Sequence, residues 1–483
     1  MEKILSLDGG PGPLMELRII ERLQQLFESD GEGGGFLEQA TVFAGTSNGG
    51  LMALYLAKNL TEQDADRAAG RTPKTTSEII AGCMRFSDEY AASLAADTHH
   101  LASLLEPFAA MREVAMELAS APELRQHIVL DRARRIARFP LHLAGAFGDV
   151  WKIRKTLAGV APLTSATEFE RILREAFGDW TLGRLKRKVV VLSFDTTAWK
   201  PRAYRNFWAE DDVGNKDRGR DETLSLVEVG MSTAAMPLFL PIYGGRENRG
   251  YLDGIFSANN PVATAATLVL RHLVDANEGN PFEKVVALSM GVSQTIEEAN
   301  IERSGGLGSL LDLFSVDDRV TRMRHSAAAN ELRLYLRDLE VRLRVHEEPK
   351  RKGIGSMAWG WLDYLRRPTF VANMLIHGMN GESSAQAGRL LRGNFFRHAP
   401  RIHLARTLFR TVFMGTPVGE TDLPQHAALC FRDAVEDPSA MFNTKDEFRN
   451  AEETDALLVW LRRKWFSPQD RADTSVGPDG SIE

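Results

Sequence analysis

The chain has 483 residues, 43% hydrophobic and 26% charged, an ordinary globular balance. A formal net charge of -6 and a pI near 6.1 argue against broad binding to nucleic-acid phosphates. The only two cysteines, Cys83 and Cys430, suggest neither a disulfide framework nor a zinc site and fit a reducing compartment. Met1-Glu2-Lys3-Ile4 enters a strand-like run at once, without the charged start and long apolar stretch of a signal peptide. No apolar stretch of roughly 18 residues or more predicts a membrane span. The expected location is therefore cytoplasmic.

Lys3–Leu7 reads as a short apolar strand, and Asp8-Gly9-Gly10-Pro11-Gly12-Pro13 as a loop. Leu14, Leu17, Ile20, Leu23 and Phe27 then recur at helical spacing, with Pro13 in the first turn where a proline fits. Ser29–Gly35 is turn-rich. Thr41–Ala44 is a second strand, Gly45–Gly50 a tight turn, and Leu51–Ala57 helical. This alternation predicts an α/β fold with a mainly parallel central sheet sandwiched by helices. Residues 65–179 read as a helical insertion. Within it, Leu141–Val160 mixes apolar residues with Lys152, Arg154 and Lys155, either a packed helix or a surface for anionic lipid. The sheet returns at Lys188–Phe194 and Lys284–Ser289, apolar runs suited to strands buried on both faces. Helical periodicity is expected from about Asn300 to Phe466. The expected organisation is one α/β domain over 1–402, a helical C-terminal extension over 403–466, and a disordered polar tail over 467–483.

Three signals carry chemistry. Gly45-Thr46-Ser47-Asn48-Gly49 is a G-x-S-x-G pentapeptide between a strand and a helix, the context in which a strained turn presents a serine hydroxyl at the carboxyl end of a sheet. Asp8-Gly9-Gly10 precedes a helix, where backbone N–H groups can face a developing oxyanion. The loop completes neither Gly-x-x-x-x-Gly-Lys nor G-x-G-x-x-G, so both nucleotide readings fall below the oxyanion reading. Asp253-Gly254 supplies a carboxylate able to serve as base without an intervening histidine. Asp-Gly is a common turn dipeptide and gains meaning only beside the other two. Asp195, after a buried strand, either lines the site or holds a structural hydrogen bond. His99-His100 lacks a second metal-spaced pair.

Together these residues resemble the patatin-like phospholipase family. The resemblance is close over Leu5–Gly10, Gly45–Gly50, Ser232–Pro237 and Asp253-Gly254, continues at Leu288–Gly291, and runs more weakly through Phe370–Ile402. It implies a lipid acyl hydrolase in which Ser47 is the nucleophile and Asp253 its base. Asp8, Gly45, Gly49 and Gly254 are motif residues, and Gly9 and Gly10, with Gly12 as a shifted donor, form the oxyanion hole. It implies no metal and no cofactor, a lipid substrate, peripheral membrane contact and no nucleic acid. Homo-oligomer formation and a regulatory ligand stay open. The chain departs from the family's Asp-Gly-Gly-Gly-x-Arg/Lys-Gly loop. Pro11 replaces the third glycine and has no N–H, while Pro13 and Leu14 stand at the basic and last glycine positions. Losing one such donor costs on the order of 3 kcal/mol of transition-state stabilisation. Ile255 stands third after Asp253-Gly254, a milder change.

Two other readings stay open. One is an α/β-hydrolase esterase with a Ser–Asp–His triad, its histidine drawn from His272 or His325. The other is a non-catalytic or ligand-gated sensor on the same fold, for which the altered glycine loop is the sequence argument. The basic-aromatic run Leu457–Phe466, containing Arg462-Arg463-Lys464, is either a solvated helix face or an interfacial helix.

Overall fold

A computed structural model describes residues 1–10, 13–29, 35–96, 166–209, 221–237, 239–276, 280–294, 368–402, 423–434 and 445–466. Pro11, Gly12, His99-His100, Leu141–Val160, His325 and the tail 467–483 lie outside these described residues.

The strands are β1 (Glu2–Leu7), β2 (Val42–Thr46), β3 (Lys188–Asp195), β4 (Lys200–Arg205), β5 (Tyr243–Gly244), β6 (Gly250–Asp253), β7 (Val285–Met290), β8 (Ser293–Gln294), β9 (Phe395–His398) and β10 (Arg401–Ile402). Among the described residues, eight form one mixed sheet in the order β5-β6-β3-β2-β1-β7-β9, with β4 on the remaining edge of β3, while β8 and β10 pair separately. The pairs β1–β2, β2–β3, β1–β7 and β7–β9 are parallel, whereas β3–β4, β3–β6 and β5–β6 are antiparallel. The helices are α1 (Pro13–Ser29), α2 (Asn48–Ala68), α3 (Thr76–Ala96), α4 (Ala166–Phe177), α5 (Leu226–Thr233), α6 (Val262–Asp275), α7 (Pro368–Leu391), α8 (Leu423–Leu429) and α9 (Lys445–Trp460).

The apolar strand runs exist because both sheet faces are covered. Strand side chains alternate faces, and the two cores divide accordingly. Leu5, Leu7, Phe43, Val189, Val191, Val286 and Leu288 belong to one core with residues of α1 to α5, α8 and α9. Ile4, Val42, Ala44, Val190, Leu192, Val285 and Ala287 belong to the other, with Val262, Ala266 and Val269 of α6 and Ala387 and Leu391 of α7. Every residue of β2 and β7 is buried. The helical insertion contributes α3 and α4, which pack on the first core through Ile79, Ile80, Phe86, Phe169 and Phe177.

One sequence expectation needs correction. The stretch from about Asn300 to Phe466 is not uniformly helical, because Phe395–His398 pairs in parallel with β7 and Arg401–Ile402 with β8. These short segments carry too few residues to show a period, and tertiary pairing decides their state. Of the two readings left open for Leu457–Phe466, the interfacial one is not available to Trp465 and Phe466. Trp465 is fully buried and donates its indole N–H to the Phe36 carbonyl at 3.2 Å, while Phe466 stacks on Phe27 with ring centres 4.2 Å apart.

Candidate active site

The β1 and β2 strands end side by side, with Leu7 opposite Gly45, so the glycine loop and the Ser47 turn share one end of the sheet. Ser47 stands between β2 and α2 with φ 52° and ψ -123°, a left-handed outlier for a side-chain-bearing residue. Its flanking glycines are sterically required. A Cβ at Gly45 would meet the backbone of Gly49 and Gly50, and one at Gly49 the carbonyls of Leu7 and Asp8. The turn is held from outside as well. The Ser47 N–H donates to Thr233 Oγ1 at 2.9 Å, and that hydroxyl donates to the Leu192 carbonyl at 2.6 Å.

The β3 strand brings Asp253 to this turn. Its one edge is taken by β4, so β2 and β6 must share the other. The β2 strand occupies it as far as Thr46 opposite Leu192, and β6 takes over with Asp253 opposite Ser193. Residues 47 and 253 therefore meet where one partner strand replaces the other. The Ser47 hydroxyl donates to Asp253 Oδ2 at 2.7 Å, and Asp253 Oδ1 accepts the Ile255 N–H at 2.8 Å. A side chain at Gly254 would strike the Leu192 carbonyl, so glycine lets this turn lie against β3. Asp253 is 1% exposed. Burial pushes its carboxyl up to about 7, against the lowering effect of the Ile255 and Ser47 hydrogen bonds.

Buried Tyr90 on α3 lies near enough to feel this carboxylate. Burial first, and the Asp253 charge second, hold its phenol above the usual range. Nothing in the sequence singled it out, because α3 and β6 are far apart in the chain.

The glycine loop is anchored at its root. Asp8 is buried and receives a two-pronged contact from Arg397 on β9, Nη1 to Oδ1 at 2.8 Å and Nη2 to Oδ2 at 2.5 Å. Asn380 of α7 donates to Asp8 Oδ2 at 3.2 Å and accepts from Asn259 at 3.2 Å. Burial opposes the Arg397 charge, but the Asp8 carboxylate outweighs it and raises the guanidinium further. Beside this pair Glu16, in the first turn of α1, is 1% exposed and neither of its oxygens has a hydrogen-bond partner. Burial, then the Asp8 charge, push its carboxyl well above the usual range. Neither Arg397 nor Glu16 was identified from sequence. The only available signal was a charged residue within an otherwise apolar pattern.

Gly10 has φ +101°, a conformation that glycine permits, and its carbonyl accepts the Asn48 side-chain N–H at 2.9 Å. The Gly9 N–H is already committed to the Asn259 carbonyl at 3.0 Å. Gly9 therefore does not offer a free oxyanion donor in this conformation, and the expectation for it is corrected to that extent. Asp195 is fully buried, accepts the Thr197 and Ala198 N–H groups at 2.9 and 2.8 Å, and pairs with Arg249 at 3.0 Å. It secures the β3–β4 turn. His272 Nδ1 is hydrogen-bonded to the Trp208 carbonyl at 2.8 Å. Among the described residues, no histidine is hydrogen-bonded to Ser47 or Asp253.

The patatin-like phospholipase family matches residues 5–266, more than half of the chain and the stretch that holds Ser47 and Asp253. The chain belongs to the patatin-like phospholipase family, which supports lipid acyl hydrolysis as its general chemistry. No curated protein matches it. Among solved structures, that of VipD from Legionella pneumophila is similar at 12% identity and a TM-score of 0.24, covering 98% of this chain and 77% of that one. This distant likeness carries no functional argument.

Proposed function

We propose that the chain hydrolyses acyl esters of lipids through a Ser47–Asp253 dyad. The observation that carries this reading is the 2.7 Å hydrogen bond from a strained serine hydroxyl to a buried carboxylate. Ser47 Oγ attacks the ester carbonyl carbon as its proton passes to Asp253. The carbonyl oxygen gains the negative charge, and the Gly10 N–H is the donor supported best for it. Collapse of the tetrahedral intermediate breaks the bond to the alcohol, which leaves with the proton from Asp253. Water then attacks the acyl-Ser47 ester, giving its proton to Asp253. The fatty acid departs as the Ser47 hydroxyl is restored. No step requires a metal or a cofactor.

The test is fatty-acid release from mixed phospholipid vesicles in the presence of a chelator. Release by wild type that is lost in both Ser47→Ala and Asp253→Asn supports the dyad. Release that survives either substitution removes it.

The committed Gly9 amide supports a second form of the reading, an enzyme whose glycine loop must shift before it turns over. An inactive wild type whose Ser47 is labelled by a serine-directed phosphonate only after an activator is added would favour it.

A further inference from the structure

The end of the sheet that carries Ser47 also carries a partly exposed apolar row. Phe194 on β3 is paired with Pro201 on β4 and with Leu252 on β6, so the three share a face. Ile242 continues the row. It precedes the Tyr243–Tyr251 pair, and a Cβ at Gly250 would lie 3.2 Å from its side chain and 2.5 Å from Thr196 Oγ1. Trp199, in the β3–β4 turn, sets its ring edge-on to Phe194 with centres 6.5 Å apart. Trp199 is 82% exposed, Ile242 57%, and Phe256, in the turn after Asp253, 48%.

The arrangement is held in place rather than loose. Trp199 has φ +51°, a conformation that costs a bulky residue free energy. Asp195 ties the turn internally through the Thr197 and Ala198 amides and externally through Arg249. Because Asp195 is fully buried, the charges shown to solvent here are Lys200 and Glu247, both exposed, and Arg249, whose side chain is 31% exposed.

Distance selects the occupant. Ser193 lies opposite Asp253, and the turn begins three residues later at Thr196. At about 3.3 Å per residue the tip projects about 10 Å beyond the level of the dyad. Interfacial segments sink about 5–10 Å, to the boundary between headgroups and acyl chains. Ester carbonyls lie at that boundary, so a tip of this length can reach them while Ser47, about 10 Å behind it, stays on the headgroup side. Tryptophan is suited to this zone, and the exposed Lys200 beside it complements anionic headgroups.

We propose that the β3–β4 turn, with Trp199 at its tip and Ile242 beside it, is the surface by which this protein seats in a phospholipid interface with Ser47 facing the headgroups. The proposal rests on the lipid-hydrolase reading for its purpose, but its binding arm does not depend on turnover.

The test uses the full chain with Trp199→Gly/Ile242→Ser, glycine being chosen to keep the positive φ. Binding is measured in a Ser47→Ala background by co-sedimentation with vesicles of phosphatidylcholine, with and without phosphatidylglycerol. Partitioning is expected to fall about tenfold or more with the double substitution. Lys200→Glu is expected to weaken binding only to the anionic vesicles. With Ser47 intact, vesicle hydrolysis should fall in parallel while turnover of a soluble short-chain ester stays within about twofold. Undiminished partitioning overturns the proposal. So does parallel loss of soluble-ester turnover, which would show a structural role. So does a wild-type dimer that the double substitution dissociates, which would assign the row to a second copy. If soluble-ester turnover survives Ser47→Ala, the dyad fails while the binding result still decides the surface.

Discussion

Asp253→Asn should abolish hydrolysis and yet stabilise the fold, with a pH dependence that can be worked out from the site. The Asp253 carboxyl is raised from 3.8 to about 7, chiefly by burial. A raised carboxyl binds its proton more tightly in the folded state, so the related stability is fully present below pH 3.8. It is lost as pH rises toward 7. Three pH units at 1.36 kcal/mol each make the ionised carboxylate cost about 4 kcal/mol at pH 7 and above. Asparagine has no such charge. Its oxygen can accept the Ile255 N–H as Oδ1 does, and its amide can donate to Ser47 Oγ. The stability gap between Asp253→Asn and wild type should be near zero at pH 3.8. It should grow by about 1.4 kcal/mol per pH unit and level off near pH 7. Denaturant melts of both proteins across this range measure it. In parallel, wild-type kcat/KM on a soluble ester should fall about tenfold per unit below pH 7 as the base becomes protonated. A gap that is flat across the window would refute burial as the cause of the shift, and a flat activity profile from pH 6 to 8 would remove Asp253 as the base.

Arg397→Lys keeps the charge but loses the fork on Asp8. Through the glycine loop, kcat is expected to fall about tenfold or more with KM little changed, whereas Arg397→Ala should cost about 3–5 kcal/mol of stability by leaving Asp8 buried and unpaired. Steady-state kinetics and denaturant melts separate the two effects. Gly49→Ala should prevent folding to a soluble protein, because its Cβ meets the Leu7 and Asp8 carbonyls, while Gly388→Ala, with only ordinary contacts to Phe395, should gain about 1 kcal/mol from helix propensity. Expression and thermal melts compare them. Glu16→Gln should leave stability little changed below the ordinary carboxylate range and raise it as pH climbs above that range, since it removes a buried group that resists ionisation. Chemical melts at low and high pH check the sign.

The Ser47 turn was legible in the sequence because its requirements are local. Two glycines within two residues of Ser47 must lack a Cβ so that strand, helix and loop can touch, and that need is written in five consecutive residues. The buried strands β2, β3 and β7 were legible for a similar reason, since burial on both faces demands a continuous apolar run. Asp253 was legible only through family resemblance, because an Asp-Gly pair states nothing about its partner. Its meeting with Ser47 depends on β6 replacing β2 along one edge of β3, a register that no local pattern encodes. The same limit applies to Arg397, 389 residues beyond Asp8 in the chain, and to the short strands β9 and β10 within a stretch that reads as helix. Local sterics and burial thus left their mark on neighbouring residues, and the sequence by itself determined the elbow and the apolar strands. Only the tertiary structure decided which carboxylate reached the serine, which arginine anchored the glycine loop, and which amide in that loop was already engaged. Those outcomes depend on contacts between segments hundreds of residues apart, whose free energy exists only once the sheet has assembled.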